Sequence, residues 1–122
     1  VIAVIFEVVP REGCTEAYFG AAAALKPHLD GVDGFLSIER FESVTRPGRF
    51  LSLSFWRDEE AVRQWRNLPE HRLMQQMGRE QLFADYRLRV AGVIRDYGML
   101  DRTEAPDDSR SVHGGAATDV RA

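Results

Sequence analysis

Between Phe35 and Trp56 the sequence FLSIERFESVTRPGRFLSLSFW carries two runs of β-branched, aromatic and alternating residues on either side of Arg46-Pro47-Gly48. Proline fixes φ and glycine accepts positive φ, so the tripeptide supplies turn chemistry, and the runs from Phe35 to Val44 and from Phe50 to Trp56 read as antiparallel strands. In the second strand Leu51, Leu53 and Phe55 share one face, while Phe50, Ser52, Ser54 and Trp56 share the other. A face that mixes hydroxyls with aromatics is suited to lining a cavity. Immediately downstream, DEEAVRQWRNLPEH reads as a short amphipathic helix, with Asp58 as N-cap, Glu59 and Glu60 near the positive end of the dipole, and Ala61, Val62 and Trp65 as the buried stripe. Hairpin and helix together fill Gly34 to His71, and the rest of the chain has to pack around them.

Val1 to Val9 is apolar except for Glu7, which suggests a central strand covered on both faces. After the turn Pro10-Arg11-Glu12-Gly13, residues Tyr18, Ala21, Ala22, Leu25 and Leu29 recur at helical spacing. Thr15 is the expected N-cap, and Gly31 and Gly34 end the helix. The alanines from Ala21 to Ala24 favour helix and let it lie close to a sheet, and Pro27 is expected to kink the last turn. Pro69 opens a further helical segment through Leu73, Met74, Met77 and Leu82-Phe83, loosened at Gly78. The last strand is expected from Tyr86 to Asp96, with Leu88, Val90, Gly92 and Ile94 on one face and arginines on the other. The order β-α-β-β-α-β suits an α+β, ferredoxin-like plait: a four-stranded antiparallel sheet with its helices on one face. Val1, Ala3, Ile5 and their neighbours exceed what two helices can bury, so a homodimer through the other sheet face is the economical solution.

The reading gives one domain over residues 1–100 and a polar tail over 101–122. The tail lacks aromatics, leucine and isoleucine, and is expected to be flexible or laid over a partner subunit. A chain of 122 residues with 44% hydrophobic residues can build a single core. Its formal charge of −3 lacks the basic excess of a nucleic-acid binder. No apolar run reaches the roughly 18 residues of a membrane span. The opening VIAVIFEVVPREG reads as a strand rather than a secretory leader, so a cytoplasmic location is expected. Cys14 is the one cysteine and has no mate for a disulfide or a CxxC pair. His28, His71 and His113 are scattered without carboxylates at ligand spacing, so no metal site is expected. Glycines at dinucleotide or Walker spacing do not occur.

IERFES, GRFLSLSFW, the DEEAVRQWRNLPEH helix and RLRVAGVIRDYGM together resemble the antibiotic biosynthesis monooxygenase family over about the first hundred residues, most clearly from Phe35 to His71, where the strand-then-helix pattern ends in Trp-x5-His. The resemblance implies a dimeric α/β barrel made of two ferredoxin-like subunits joined through their sheets, with a pocket between each sheet and its helices. The family includes quinone-forming monooxygenases that use O2 with no metal or flavin, haem-degrading enzymes, and members of unassigned function. In the quinone-forming branch a tryptophan is followed six positions later by a tyrosine; here Trp65 is followed by His71. That branch also has an asparagine four residues before the tryptophan, where this chain has Ala61. The haem-degrading branch uses a first-strand asparagine and a histidine ten after the tryptophan, where this chain has Glu7 and Gln75. Haem is therefore disfavoured, and no cofactor is expected.

On that resemblance the function reads as a cofactor-independent monooxygenase acting with O2 on a small phenolic or quinone-like metabolite. Such a substrate must itself pass an electron to O2 after losing a proton. The catalytic candidates are His71, as the base, and Trp65, as binder of the aromatic substrate. The substrate-binding candidates are Glu7, Ser52, Ser54, Phe55 and Met74. Plainer readings stand beside each: His71 as an exposed first-turn histidine, Trp65 and Met74 as core packing, the serines as ordinary strand residues, and Glu7 as the partner of Arg87, Arg89 or Arg95. The alternatives at the level of function are a non-enzymatic ligand-binding dimer of the same fold and, third, a haem oxygenase.

Overall fold

The structure is a computed structural model that describes residues 1–114. Residues 1–92 form one compact unit, with β1 (Ile2–Pro10), α1 (Thr15–Asp30), β2 (Phe35–Glu42), β3 (Phe50–Trp56), α2 (Glu59–Asn67), α3 (Pro69–Met77), a π turn (Gly78–Leu82) and β4 (Phe83–Gly92). The sheet order β2-β3-β1-β4, antiparallel throughout, is that of the ferredoxin-like plait. Among the described residues no helix is long and apolar enough to cross a membrane.

The register puts Ile2, Val4, Phe6 and Val8 of β1 opposite Trp56, Ser54, Ser52 and Phe50 of β3. These side chains share the sheet face that the helices cover, because strand residues alternate sides. Buried packing on this inner face falls into two clusters: Leu29, Trp56, Ala61 and Val62 at one end, and Val8, Tyr18 and Phe50 at the other. Trp56, Val8 and Ala61 are the most deeply enclosed, each 1% exposed. Between the aromatic ends of β3 stand only Ser52 and Ser54.

Two bulges adjust which side chains look inward. The β2–β3 register shifts between Phe35 and Ser37, so Leu36 is skipped and left exposed while the Phe35 ring meets Trp56 edge-on at 5.2 Å. In β4 the shift opposite Val9 and Pro10 skips Ala84, and the ring of Phe83 packs against Phe6 and Tyr18, each 5.7 Å away. Strict alternation does not foresee either inversion.

Several element boundaries differ from the sequence expectation. The cap of α1 is Cys14, not Thr15, and it makes no side-chain capping bond. Asp58 does cap α2, its Oδ1 accepting from the Ala61 N–H at 2.9 Å. β4 begins at Phe83 and stops at Gly92 rather than running from Tyr86 to Asp96. Its last rung pairs Gly92 with Ile2, the first residue of β1, so there is no further strand to pair with.

From Val93 the chain forms a second compact unit, which contains α4 (Asp107–His113). The Arg102 side chain is buried there, donating to the carbonyls of Gly98 at 3.1 Å, Gly114 at 3.3 Å and Ser109 at 3.5 Å, with Tyr97 under its guanidinium. Arg110 likewise donates to the carbonyl of Ala105 at 2.9 Å, so in this unit two arginines are satisfied by backbone carbonyls. For residues 115–122, the expectation of a flexible or partner-wrapping tail lies outside the described residues.

Gly34 and Gly48 both hold positive φ, +93° and +88°, but only Gly34 is crowded: a Cβ there would stand 2.8 Å from the Cβ of Ala61 in α2. Gly48→Ala is expected to cost backbone strain alone, about 1 to 2 kcal/mol, and Gly34→Ala that strain plus overpacking, about 1 to 3 kcal/mol more. Urea unfolding of both variants checks the difference.

Candidate functional site

A cavity of about 490 Å³ opens between the inner sheet face and the helices. Its floor is Val4, Phe6, Ser52 and Ser54, its roof includes Ala21, Ala22 and Leu25 of α1, and Trp65, His71, Met74 and Gln75 close one side. The alanines were expected to bring α1 close to the sheet. Instead they face the two serines across a hollow, because small residues on both sides leave volume that the aromatic ends of β3 hold open.

The Ser54 hydroxyl is fully engaged: it accepts from Trp56 Nε1 at 2.9 Å and donates to the carbonyl of Val4 at 3.5 Å. Ser52, by contrast, meets no hydrogen-bond partner among the described residues, and its hydroxyl is left for whatever fills the cavity. Met74 also lines the space. Two of the substrate-binding candidates are elsewhere. Phe55 and Glu7 point to the outer sheet face, since both alternate with cavity-lining neighbours. Glu7 Oε2 accepts there from Arg89 Nη1 at 2.9 Å, so the carboxylate is an ion-pair partner on the far side of the sheet. Neither residue belongs to the cavity.

Trp65 and His71 are brought together. Pro69 starts α3 directly after α2, so the chain turns and lays the imidazole on the indole, with ring centroids 4.1 Å apart and planes 20° from parallel. His71 Nδ1 lies 3.0 Å from the carbonyl of Trp65. A carbonyl only accepts, so Nδ1 carries the proton in this bond, and the neutral ring has its lone pair on Nε2. Burial pushes the His71 pKa below its ordinary 6.5; the hydrogen bond to Trp65 opposes this, and the positive charge of Arg72 adds to it. The result is a neutral imidazole near neutral pH with a basic nitrogen that has no protein partner among the described residues. The indole N–H of Trp65 is likewise undonated there.

A second layer fixes these groups. With Nδ1 donating to Trp65, the Gln75 amide N–H, 3.2 Å from it, is a second donor and turns to the carbonyl of Arg66 at 3.4 Å; Gln75 Oε1 accepts from Arg72 Nη1 at 3.0 Å, and Arg72 Nη2 donates to Asn67 Oδ1 at 2.7 Å. Among the described residues no group of three His, Cys, Asp or Glu side chains is placed to hold a metal ion. Sequence reasoning missed Arg40, Arg66, Arg72 and Arg79, which all line the cavity, and Tyr18 and Tyr86 with them. Arg40 was legible: it alternates with Ile38 in β2 and so shares the inner face. Arg79 was not, because a π turn shifts helical phase.

As pH falls below 6.5 the unfolded chain takes up a proton on His71 before the folded protein does, so the stability tied to the neutral ring is full above that value and is lost as pH falls toward the lowered folded pKa. Wild-type protein is therefore expected to lose more stability between pH 7.5 and 5.5 than His71→Phe, measured as the change in urea midpoint.

The family model for antibiotic biosynthesis monooxygenases matches residues 1–77. A protein named jasmonate monooxygenase ABM from Pyricularia oryzae is 44% identical over 91 residues, covering 75% of this chain and 42% of its own length. This chain thus spans less than half of that relative. An uncharacterized protein from Bacillus subtilis, YqjZ, is 32% identical over 101 residues, covering 83% of this chain and 86% of its own. Among solved structures, Rv0793 from Mycobacterium tuberculosis superposes with a TM-score of 0.71 at 21% identity, over 80% of this chain and 98% of that one, which supports the fold. On the family match, which covers more than half of the chain, it belongs to the antibiotic biosynthesis monooxygenase family.

Proposed function

We propose that the protein is a cofactor-independent monooxygenase that oxidises a small, largely apolar substrate inside this cavity. The observation that carries the reading is the His71 imidazole, anchored through Nδ1 and turned so that Nε2 is free beside the undonated indole N–H of Trp65. Nε2 takes a proton from an acidic phenolic or enolic group, and the anion is rich enough in electrons to reduce O2 by one electron. Recombination of the resulting superoxide with the substrate radical forms a C–O bond. The peroxide receives a proton, the O–O bond breaks as the same carbon loses a hydrogen, and the products are a carbonyl compound and water. One O2 and two substrate hydrogens are consumed, so the balance closes with no further reductant. Trp65 supplies a flat surface and a donor for the substrate oxygen, and Ser52 a hydroxyl. A single cysteine, with no internal disulfide to lose, suits a reducing cytoplasmic setting.

The name of the Pyricularia relative, a jasmonate monooxygenase, supports a monooxygenase. A haem-degrading role has less support. The position ten beyond Trp65 holds Gln75, whose amide is already engaged by Arg72, and Glu7 faces away from the cavity, so the residues present do not fit a porphyrin.

Oxygen uptake by the purified protein with a panel of dihydroxynaphthalenes and anthrones tests the reading. Uptake with no added flavin or metal is expected, reduced by a factor of roughly 10² in His71→Ala. Trp65→Phe is expected to lower it as well, chiefly through KM. The rate should hold steady at neutral pH and fall only below 6.5, as Nε2 becomes protonated. Uptake no faster than buffer across the panel would favour a ligand-binding protein without this chemistry.

The outer sheet face bears Ile5, Leu51, Leu53 and Phe55, with Phe41 44% exposed, around the Glu7–Arg89 pair. We infer that a second copy of the chain covers it. Sedimentation analysis is expected to give a dimer that Leu53→Lys dissociates, since a charge there would be buried unpaired.

A further inference from the structure

Among the described residues, the hydroxyl groups that line the cavity are those of Tyr18, Ser52, Ser54 and Tyr86. Two of them are engaged within the protein: Ser54 accepts from Trp56 and donates to Val4, and the Tyr86 oxygen accepts from Arg79. The hydroxyls of Tyr18 and Ser52 meet no hydrogen-bond partner among the described residues. Both residues are nonetheless more than nine-tenths buried, Tyr18 being 6% and Ser52 8% exposed. A hydroxyl cut off from water and from every partner carries its full desolvation penalty. Among the described residues no buried side-chain oxygen or nitrogen is left in that state, so each of these two hydroxyls still touches open space. The space that both residues line is the cavity.

Both stand toward one end of it. Tyr18 belongs to the cluster with Val8 and Phe50, and its ring meets Phe83 edge-on at 5.7 Å. Ser52 is the next inward-facing residue of β3 after Phe50, and it stands opposite Phe6, which packs against the same cluster. Trp65 belongs to the other end: it packs on the cluster of Leu29, Trp56, Ala61 and Val62, and His71 is stacked on its ring. From Phe50 to Trp56 the strand advances roughly 20 Å at about 3.3 Å per residue. A hollow of about 490 Å³ between these ends has room for a body of two or three fused rings.

We propose that the cavity recognises a planar aromatic substrate with an oxygen function at each end: one meets His71 and Trp65 and reacts, and the other is held by the hydroxyls of Tyr18 and Ser52. This rests on reading the cavity as the substrate site, and it makes Tyr18 and Ser52 the residues that specify the substrate and its orientation. A hydroxyl both donates and accepts, so the far oxygen is a hydroxyl or a carbonyl. A far hydroxyl also serves the chemistry, because it adds electron density to the ring and makes the anion formed at His71 a stronger reductant of O2.

The probes are 2,6-dihydroxynaphthalene and 6-methyl-2-naphthol, which share one ring system and one hydroxyl. They differ at the far end, where a methyl group of similar size replaces the second hydroxyl. Calorimetric titration under nitrogen reads binding without turnover. Tyr18→Phe is expected to lower the ratio of diol affinity to methyl-compound affinity about fivefold. Its affinity for the methyl compound should be unchanged, which also shows that the variant is folded. Ser52→Ala should lower the ratio in the same direction, and His71→Ala should weaken both probes alike. A ratio that is the same in wild type, Tyr18→Phe and Ser52→Ala would overturn the assignment of the far end while leaving the cavity as a binding site. Binding of neither probe, together with no oxygen uptake on the phenolic panel, would instead overturn the reading of the cavity itself.

Discussion

The arrangement of side chains along the inner face of β3 governs the rest of the structure. Phe50 and Trp56 at the two ends are large and buried, and each seeds one of the two packed clusters. Ser52 and Ser54 between them are too small to reach the helices. Alanines at the facing positions of α1 prolong the gap rather than fill it. Close packing is the default in a protein interior, and an enclosed void forfeits contacts on every side. Here the loss is limited because the hollow opens to solvent, and the stability of the fold is concentrated at its two ends.

The division also explains how the site stays ordered. Trp56 is held by its hydrogen bond to Ser54 and by the edge of Phe35, and Trp65 packs 6.5 Å from Trp56. His71 then stacks on Trp65. The imidazole is thus the last of a series of aromatic rings that begins in the buried cluster, and its orientation is inherited from the core. A histidine oriented by a carboxylate would gain basicity from that partner. One oriented by a carbonyl and a stacked ring keeps the tautomer without the added charge, which suits a base that must be neutral before the substrate arrives.

The plait, the hairpin and the pairing of Trp65 with His71 were legible in the sequence because each depends on local spacing. Turn chemistry at Arg46-Pro47-Gly48 set the hairpin, and Pro69 set the start of α3. Glu7 and Phe55 were assigned to the wrong side for the opposite reason. Strand alternation already separated Phe55 from Ser54, and Glu7 was read both as a cavity acid and as the partner of Arg87, Arg89 or Arg95, of which the ion pair is the one the structure shows. Which of the three arginines pairs with it follows from the register: Arg87 stands directly opposite Glu7 on β4, and the carboxylate accepts from Arg89 on the diagonal. The bulges at Leu36 and Ala84 were out of reach because a bulge is a property of two strands together, and the inward turn of Phe35 and Phe83 follows from it.

The arginines and the histidine act on one another through the same field. Burial is the first cause of the lowered His71 pKa, and the charge of Arg72 adds to it. An anion bound beside Arg72 would offset part of that positive charge and raise the affinity of Nε2 for a proton. The same binding event would lower the field that disfavours protonated His71, so under the proposed function the imidazolium would be better tolerated with an anionic ligand present than without. A neutral ligand of the same shape would fill the cavity yet leave the base weaker. Arg72 would in this way carry the charge of a ligand to the basicity of His71 across one cavity wall.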